Sequence, residues 1–134
     1  MGALPPKYSF LLNPHPHERF TRCPRCEATT RVRKLVLVID RTPIGLVLLR
    51  KTCRLCVVCE TLIVDEVEMN RLIDALPADR PGGSPYLVLG TLDAKTWRKG
   101  VSASVAIHQV RDHMADFKAH MRVDITPRHW ARRD

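Results

Sequence analysis

Long apolar stretches are missing from this chain: the longest uninterrupted apolar run is Leu35 to Ile39, far short of the roughly 20 residues a membrane-spanning helix needs. The first residues carry one lysine and then the short run Tyr8 to Leu12, interrupted and followed by prolines, which is not the pattern of a secretory leader. Pro6 stands where a myristoylation motif after Met1-Gly2 has Ser or Thr. With only six glycines, the chain shows no Gly-rich phosphate loop, and neither a nucleophile elbow nor an HExxH helix is present. Aromatic residues are equally few, three Phe, two Trp and two Tyr, so the core is expected to be mostly aliphatic and the basic surface has few rings on which bases would stack. These absences point to a soluble, cytoplasmic, non-enzymatic protein with no membrane partner.

What is present supports a folded chain. Apolar residues make up 45% of 134 positions, enough for one packed domain or two small lobes, and mixed strand and helix signals favour an α+β class. The formal charge of +8 is confined to one segment. Between Arg19 and Arg54 lie ten basic residues, Arg19, Arg22, Arg25, Arg31, Arg33, Lys34, Arg41, Arg50, Lys51 and Arg54, against the two acids Glu27 and Asp40. Everywhere else twelve basic residues balance twelve acidic ones, so the excess belongs to a particular surface rather than to the composition.

Punctuation by proline and glycine divides the chain into three. Residues 1–18, with Pro5, Pro6, Pro14 and Pro16, read as an extended N-terminal arm. Residues 19–64 hold strands at Thr29 to Ile39, Leu46 to Leu49 and Thr61 to Val64, with turn chemistry at Asp40 to Gly45. Residues 65–134 form a C-terminal lobe. It begins with a helix over Asp65 to Leu76, capped by Asp65 with Met69, Leu72, Ile73 and Leu76 on one face and stopped by Pro77. A linker over 77–85 precedes a strand at Tyr86 to Leu89 and one helical turn at Asp93 to Arg98 that presents Trp97 as a core anchor. Ile107, Val110, Met114, Phe117 and Met121 step by three and four, predicting a second helix from a Ser104 cap to His120. A last strand at Arg122 to Thr126 and a basic tail carrying Trp130 complete the expected layout.

All five cysteines fall between positions 23 and 59, in two tight clusters. In a reducing compartment such clusters favour metal chemistry over disulfides. Two cysteines separated by two residues bend around one ion, and two such pairs complete a tetrahedral set of four thiolates. Cys23-Pro24-Arg25-Cys26 is the first pair. Cys53, Cys56 and Cys59 are equally spaced, and two features select Cys56 and Cys59 for the second. The flanks Cys26-Glu27-Ala28-Thr29 and Cys59-Glu60-Thr61-Leu62 echo each other, and a turn centred near Thr42 and Pro43 folds Cys26 towards Cys56 and Cys59. Cys53 is left as a spare thiol or a buried small hydrophobe.

In this paired motif, residues 19–64 resemble the zinc ribbon, a family with two CxxC knuckles at the ends of antiparallel strands. The resemblance implies one structural Zn2+ and antiparallel β-hairpins; it does not select among the nucleic-acid machines and enzymes that carry such ribbons. One departure is visible, for Glu27 and Glu60 replace the glycine that usually follows a knuckle.

Two other chemistries compete. A reactive CxxC opens a helix that lowers its thiol pKa, yet β-prone residues follow both pairs here. His113, Asp116 and His120 would share a face of the second helix and suit acid–base work, although boundary histidines beside an apolar stripe are commonplace. His15 and His17 are read as solvated arm residues. The sequence therefore predicts a zinc-binding module contacting nucleic acid or a nucleoprotein complex through Arg22, Arg25, Arg31, Arg33, Lys34, Arg50, Lys51 and Arg54. The alternative is a protein–protein assembly subunit whose zinc is a brace.

Overall fold

Aliphatic and β-branched residues recur between positions 31 and 56, including the unbroken runs Leu35 to Ile39 and Leu46 to Leu49, and this stretch holds the two longest elements of the described residues. The computed structural model describes residues 2–41, 45–75, 86–93, 97 and 101–123. Strand β1 spans Ser9–Asn13, β2 Arg31–Arg41, β3 Gly45–Cys56 and β4 Thr61–Asp65. Helix α1 covers Glu66–Asp74, followed by β5 at Tyr86–Leu92 and β6 at Val101–Val105. The short helix α2, Ile107–Val110, runs into a 3-10 turn at Arg111–His113, and β7 (Met114–Asp116) and β8 (Ala119–Arg122) end the described chain. The fold is thus mixed α/β, dominated by strands.

Among the described residues the eight strands make one sheet, ordered β7-β5-β2-β3-β4-β1-β8, with β6 also paired to β3. The outermost strands β7 and β8 are separated in sequence only by Phe117 and Lys118. The sheet therefore curls until its ends meet, and these two residues make the junction. Phe117 N–H donates to Leu89 O of β5 at 3.1 Å, and Lys118 N–H donates to Tyr8 O beside β1 at 2.8 Å. Such curling hides the edges that an open sheet leaves exposed.

The curl encloses a core to which β1 to β5 and the junction contribute: Phe10, Leu37, Ile39, Leu49, Leu62, Val88 and Phe117 among others, with Met69 and Ile73 of α1. Even-numbered residues of β2 and β3 face the other way. Val36, Val38 and Leu48 pack with Leu92, Val110 and Met114, with Trp97 against them. Burial on both faces is why Leu35 to Ile39 reads as an unbroken apolar run. A third cluster, Leu11, Phe20, Ile63 and Val123, covers the outer side of β1 and β4.

Helix α1 follows its sequence signals, with Asp65 Oδ1 accepting from Glu68 N–H at 3.1 Å and Met69 and Ile73 buried. The 1–18 stretch contributes strand β1, pairing in parallel with both β4 and β8, because its prolines bracket Tyr8 to Asn13 and leave that run free to hydrogen-bond. Within residues 19–64 the β2–β3 and β3–β4 pairs are antiparallel, and the parallel pairs come from β1 of the 1–18 stretch, expected from the sequence only as an extended arm. The expected helix from Ser104 to His120 does not form: its span holds the end of β6, the four-residue α2, the 3-10 turn, β7 and the start of β8. Its apolar stripe is dispersed, with Val110 and Met114 in the second core, Phe117 in the inner core and Ile107 exposed. Among the described residues the last strand is Ala119–Arg122, and most of the strand expected at Arg122 to Thr126 lies outside the described residues. Trp97 N–H bonds to Asp93 O at 3.2 Å and its ring packs in the second core, as an anchor would. The turn at 42–44, Leu76 and Pro77, the linker 77–85, the remainder of the 94–100 turn and the tail with Trp130 lie outside the described residues. No helix among the described residues is long and apolar enough to cross a membrane.

Candidate metal centre and basic surface

Both knuckles are tight backbone turns fixed by the chain around them. In the first, Glu27 N–H returns to Cys23 O and Cys23 N–H reaches Ala28 O, each at 2.8 Å. Arg22 bridges Thr29, and the Thr30 hydroxyl donates to Phe20 O at 2.7 Å. The second knuckle closes the β3–β4 hairpin, where Cys56 pairs with Thr61. Glu27 (φ 64°) and Glu60 (φ 53°) both take the left-handed conformation that usually calls for glycine. The departure noted in the sequence thus leaves the knuckle shape intact and places its cost in the backbone.

These turns bring Cys23, Cys26, Cys56 and Cys59 together, all four sulfurs within 4.8 Å of one another. Cys26 and Cys56 Sγ are 3.4 Å apart, Cys23 and Cys59 3.6 Å, and Cys56 and Cys59 3.6 Å. Sulfurs bonded to one tetrahedral ion at about 2.3 Å would stand about 3.8 Å apart, whereas a disulfide needs about 2.05 Å. The arrangement therefore suits a shared metal ion. Arg25 N–H points at Cys23 Sγ at 3.4 Å, the knuckle bond that supports a thiolate. Thr61 Oγ1 lies 3.1 Å from Cys59 Sγ and accepts from Arg25 Nη1 at 2.9 Å, so one side chain of the first knuckle is tied to the second.

The four thiols are not equivalent. Burial pushes Cys23 up to about 12, against hydrogen bonds from the Arg25 and Cys26 backbone and with the neighbouring Cys59 thiol adding to the rise. Burial also acts on Cys56, but hydrogen bonds from Cys59 N–H, the Cys26 and Cys59 thiols and Val58 N–H outweigh it and bring Cys56 down to about 7. Cys56 is therefore a readier thiolate than Cys23. Cys53 stands apart: it is buried in the inner core opposite Arg33, and burial pushes its thiol up to about 12.

The basic residues are gathered at one end of β2 and β3 and around the first knuckle, but on more than one face. Arg31 and Arg33 pair with the inner-core residues Leu55 and Cys53, but their own side chains are exposed. Val32 and Lys34 pair with Arg54 and Thr52 and face outward, as does Arg50 opposite Val36. Arg22 Nη1 reaches back to Glu27 O at 3.4 Å. Lys51 corrects the sequence reading: its side chain is buried and ion-paired with Glu68 of α1. The period-two register puts it beside Leu49 and Cys53, which could have revealed its inward orientation. Arg41 is internal too, donating to Ile73 O at the end of α1. By contrast, the side chains of Arg19, Arg31, Arg33, Lys34 and Arg54 have no hydrogen-bond or ion-pair partner among the described residues.

His113, Asp116 and His120 do not assemble. His113 is exposed in the 3-10 turn, Asp116 accepts from Gly2 N–H at 2.8 Å, and His120 Nε2 lies 2.5 Å from Val88 O with its ring against Phe10 and Phe117. Sequence reasoning missed Thr61 as a neighbour of the thiols, although its place two residues after Cys59 on a strand is a usable signal. No protein-family model, curated protein or solved structure matches this chain.

Proposed function

We propose that this chain is a zinc-binding, zinc-ribbon-like module that contacts nucleic acid, or a nucleoprotein complex, through the cations around its metal-bearing end. The observation that carries the reading is the set of five cations with no side-chain partner among the described residues, Arg19, Arg31, Arg33, Lys34 and Arg54, in the part of the chain that holds the four-thiol cluster. Cations that solvate a fold are commonly matched to nearby carboxylates, as Lys118 is to Glu60 and Arg122 to Glu66; unmatched ones provide the footprint for phosphates. An all-sulfur tetrahedral donor set favours zinc, which would act as a brace rather than a catalyst because no ligand position is left open. Free thiols in this number fit a reducing, cytoplasmic setting.

Arg22, Arg25 and Arg50 extend the surface, while Lys51 does not belong to it. The test is the salt dependence of binding to duplex DNA and to RNA by the metal-loaded protein. Duplex affinity should fall with a log–log slope of about −0.9 per phosphate contacted. Joint replacement of Arg31, Arg33 and Arg54 by Glu should flatten the slope while leaving metal content unchanged. Absence of binding at low salt, where screening is weakest, would remove the reading. A second reading, a protein–protein assembly subunit, is favoured by Val57 and Val58, which are 54% and 69% exposed at the tip of the second knuckle.

A further inference from the structure

Strand β3 is paired along its whole length by β2, so β6 and β4 share its other edge. There β6 pairs with Leu46 to Leu49 and β4 with Arg54 to Cys56. Beyond Arg54 and Ile63 the two strands separate, and a cleft of about 400 Å3 opens between them. This volume lies within the roughly 300–1,000 Å3 of small-ligand sites. Lys51 forms its floor, its ammonium turned onto Thr52 O and Glu68.

The polar groups of the cleft divide by sign. Each carboxylate is engaged: Glu18 Oε1 accepts from Phe20 N–H at 3.4 Å, Asp65 caps α1, and Glu68 pairs with Lys51. The two guanidiniums, Arg19 and Arg54, have no side-chain partner among the described residues. Pro16, Val32 and the largely buried Ile63 are apolar members of the same lining. Free cations at an opening, aliphatic walls and carboxylates that can also accept base amino groups match a nucleotide's phosphate, ring and exocyclic donors.

We propose that this cleft seats one nucleotide of a single strand, its phosphate held by Arg19 and Arg54 and its base lodged against Val32 and Ile63. The inference rests on the nucleic-acid reading above and makes it specific. Bases in a duplex are stacked and paired and must be extruded to enter such a recess, whereas an unpaired strand can place one there directly. The rest of the basic surface would bind either form through phosphates alone.

The experiment uses the full-length metal-loaded chain and one mixed-sequence oligonucleotide, single-stranded and as a duplex, followed by fluorescence anisotropy. Two double variants remove equal charge: Arg19→Gln with Arg54→Gln in the cleft, and Arg31→Gln with Arg33→Gln outside it. The cleft pair should weaken single-strand binding about tenfold more than duplex binding, the scale of losing one seated base, while the other pair weakens both forms by the same factor. Thr52→Leu, which narrows the cleft without changing charge, should also act on the single strand alone. If the two double variants behave alike and Thr52→Leu changes nothing, the cleft proposal falls while the nucleic-acid reading stands. If neither form binds at low salt, both fall together.

Discussion

Glu27→Gly should stabilise this protein, and the reason lies in one dihedral angle. Glu27 follows Cys26 with φ 64°, where the Cβ of an L-residue crowds the backbone carbonyl at a cost of about 1–2 kcal/mol. Glycine relieves that contact but loses about 0.5–1 kcal/mol more conformational freedom on folding. The difference favours glycine over alanine at this position by about 0.5–1 kcal/mol. Alanine is the proper reference, because it removes the carboxylate while keeping the Cβ. The hydrogen bonds of the turn, Glu27 N–H to Cys23 O and Arg22 to Glu27 O, involve the backbone of residue 27 and survive in both variants. For a chain of this size the gap corresponds to a melting temperature about 2–4 °C higher for Glu27→Gly than for Glu27→Ala. It should be measured at one fixed metal concentration, since bound metal itself shifts stability. Glu60 offers a less clean test, since its carboxylate pairs with Lys118 at 2.7 Å. An alanine variant as stable as the glycine variant would refute the left-handed knuckle, and with it the metal geometry built on that turn.

Four further outcomes follow from side chains. Metal analysis of purified variants should find one ion per chain lost in Cys23→Ser, Cys26→Ser, Cys56→Ser and Cys59→Ser and kept in Cys53→Ser; retention in Cys59→Ser with loss in Cys53→Ser would reverse the ligand assignment. In urea denaturation, Lys51→Met should change stability by less than about 1 kcal/mol, because an apolar side chain of similar length replaces a buried ion pair. Glu68→Ala, which leaves that ammonium without its carboxylate, should cost about 2–3 kcal/mol, less than a fully buried pair would because Glu68 is 48% exposed. Phe117→Ala should cost about 3–5 kcal/mol, since the ring is buried 5.0 Å from Phe10 at the junction between β7 and β8; a loss below about 1 kcal/mol would contradict the curled sheet.

The four clustered cysteines were legible because their information is local. CxxC spacing constrains sulfurs through a few bonds, and the echoing flanks of the two knuckles, with a turn near position 43 in mild support, favoured Cys59 over Cys53. Helix α1 was legible for the same reason, its cap and buried face lying within nine residues. The curled sheet was not legible. Strand β1 pairs in parallel with residues 52 and 110 positions further along, as Ser9 with Thr61 and Ser9 with Ala119, and no short-range pattern encodes such partners. The C-terminal misreading has a different cause. Ile107, Val110, Met114 and Phe117 do have helical spacing, but the chain leaves the helix after Val110, and three short elements then bury Met114 and Phe117 in different cores. Periodicity reports which residues are buried more securely than which conformation buries them.

On the proposed function, an ion held by the four thiols would act together with the basic surface. The β2–β3 ladder already brings Arg31 beside Leu55 without help from an ion, so the hairpin can form on its apolar residues. The segment from Phe20 to Thr30 is different: only Phe20, Cys23 and Thr30 are buried in it, and Cys23 is a ligand. Apolar burial alone gives this segment little reason to keep one shape. An ion bound by Cys23 and Cys26 on one side and Cys56 and Cys59 on the other would fix it against the β3–β4 turn, with the Arg25–Thr61 hydrogen bond as a second tie. Arg19, Arg22, Arg25 and Arg31 lie within or next to that segment. Cations held in place lose less freedom when a ligand arrives than cations on a loose loop, and the ordering cost saved appears as affinity. On this view the ion does not need to touch the partner to matter for binding, because it sets where the positive charge stands.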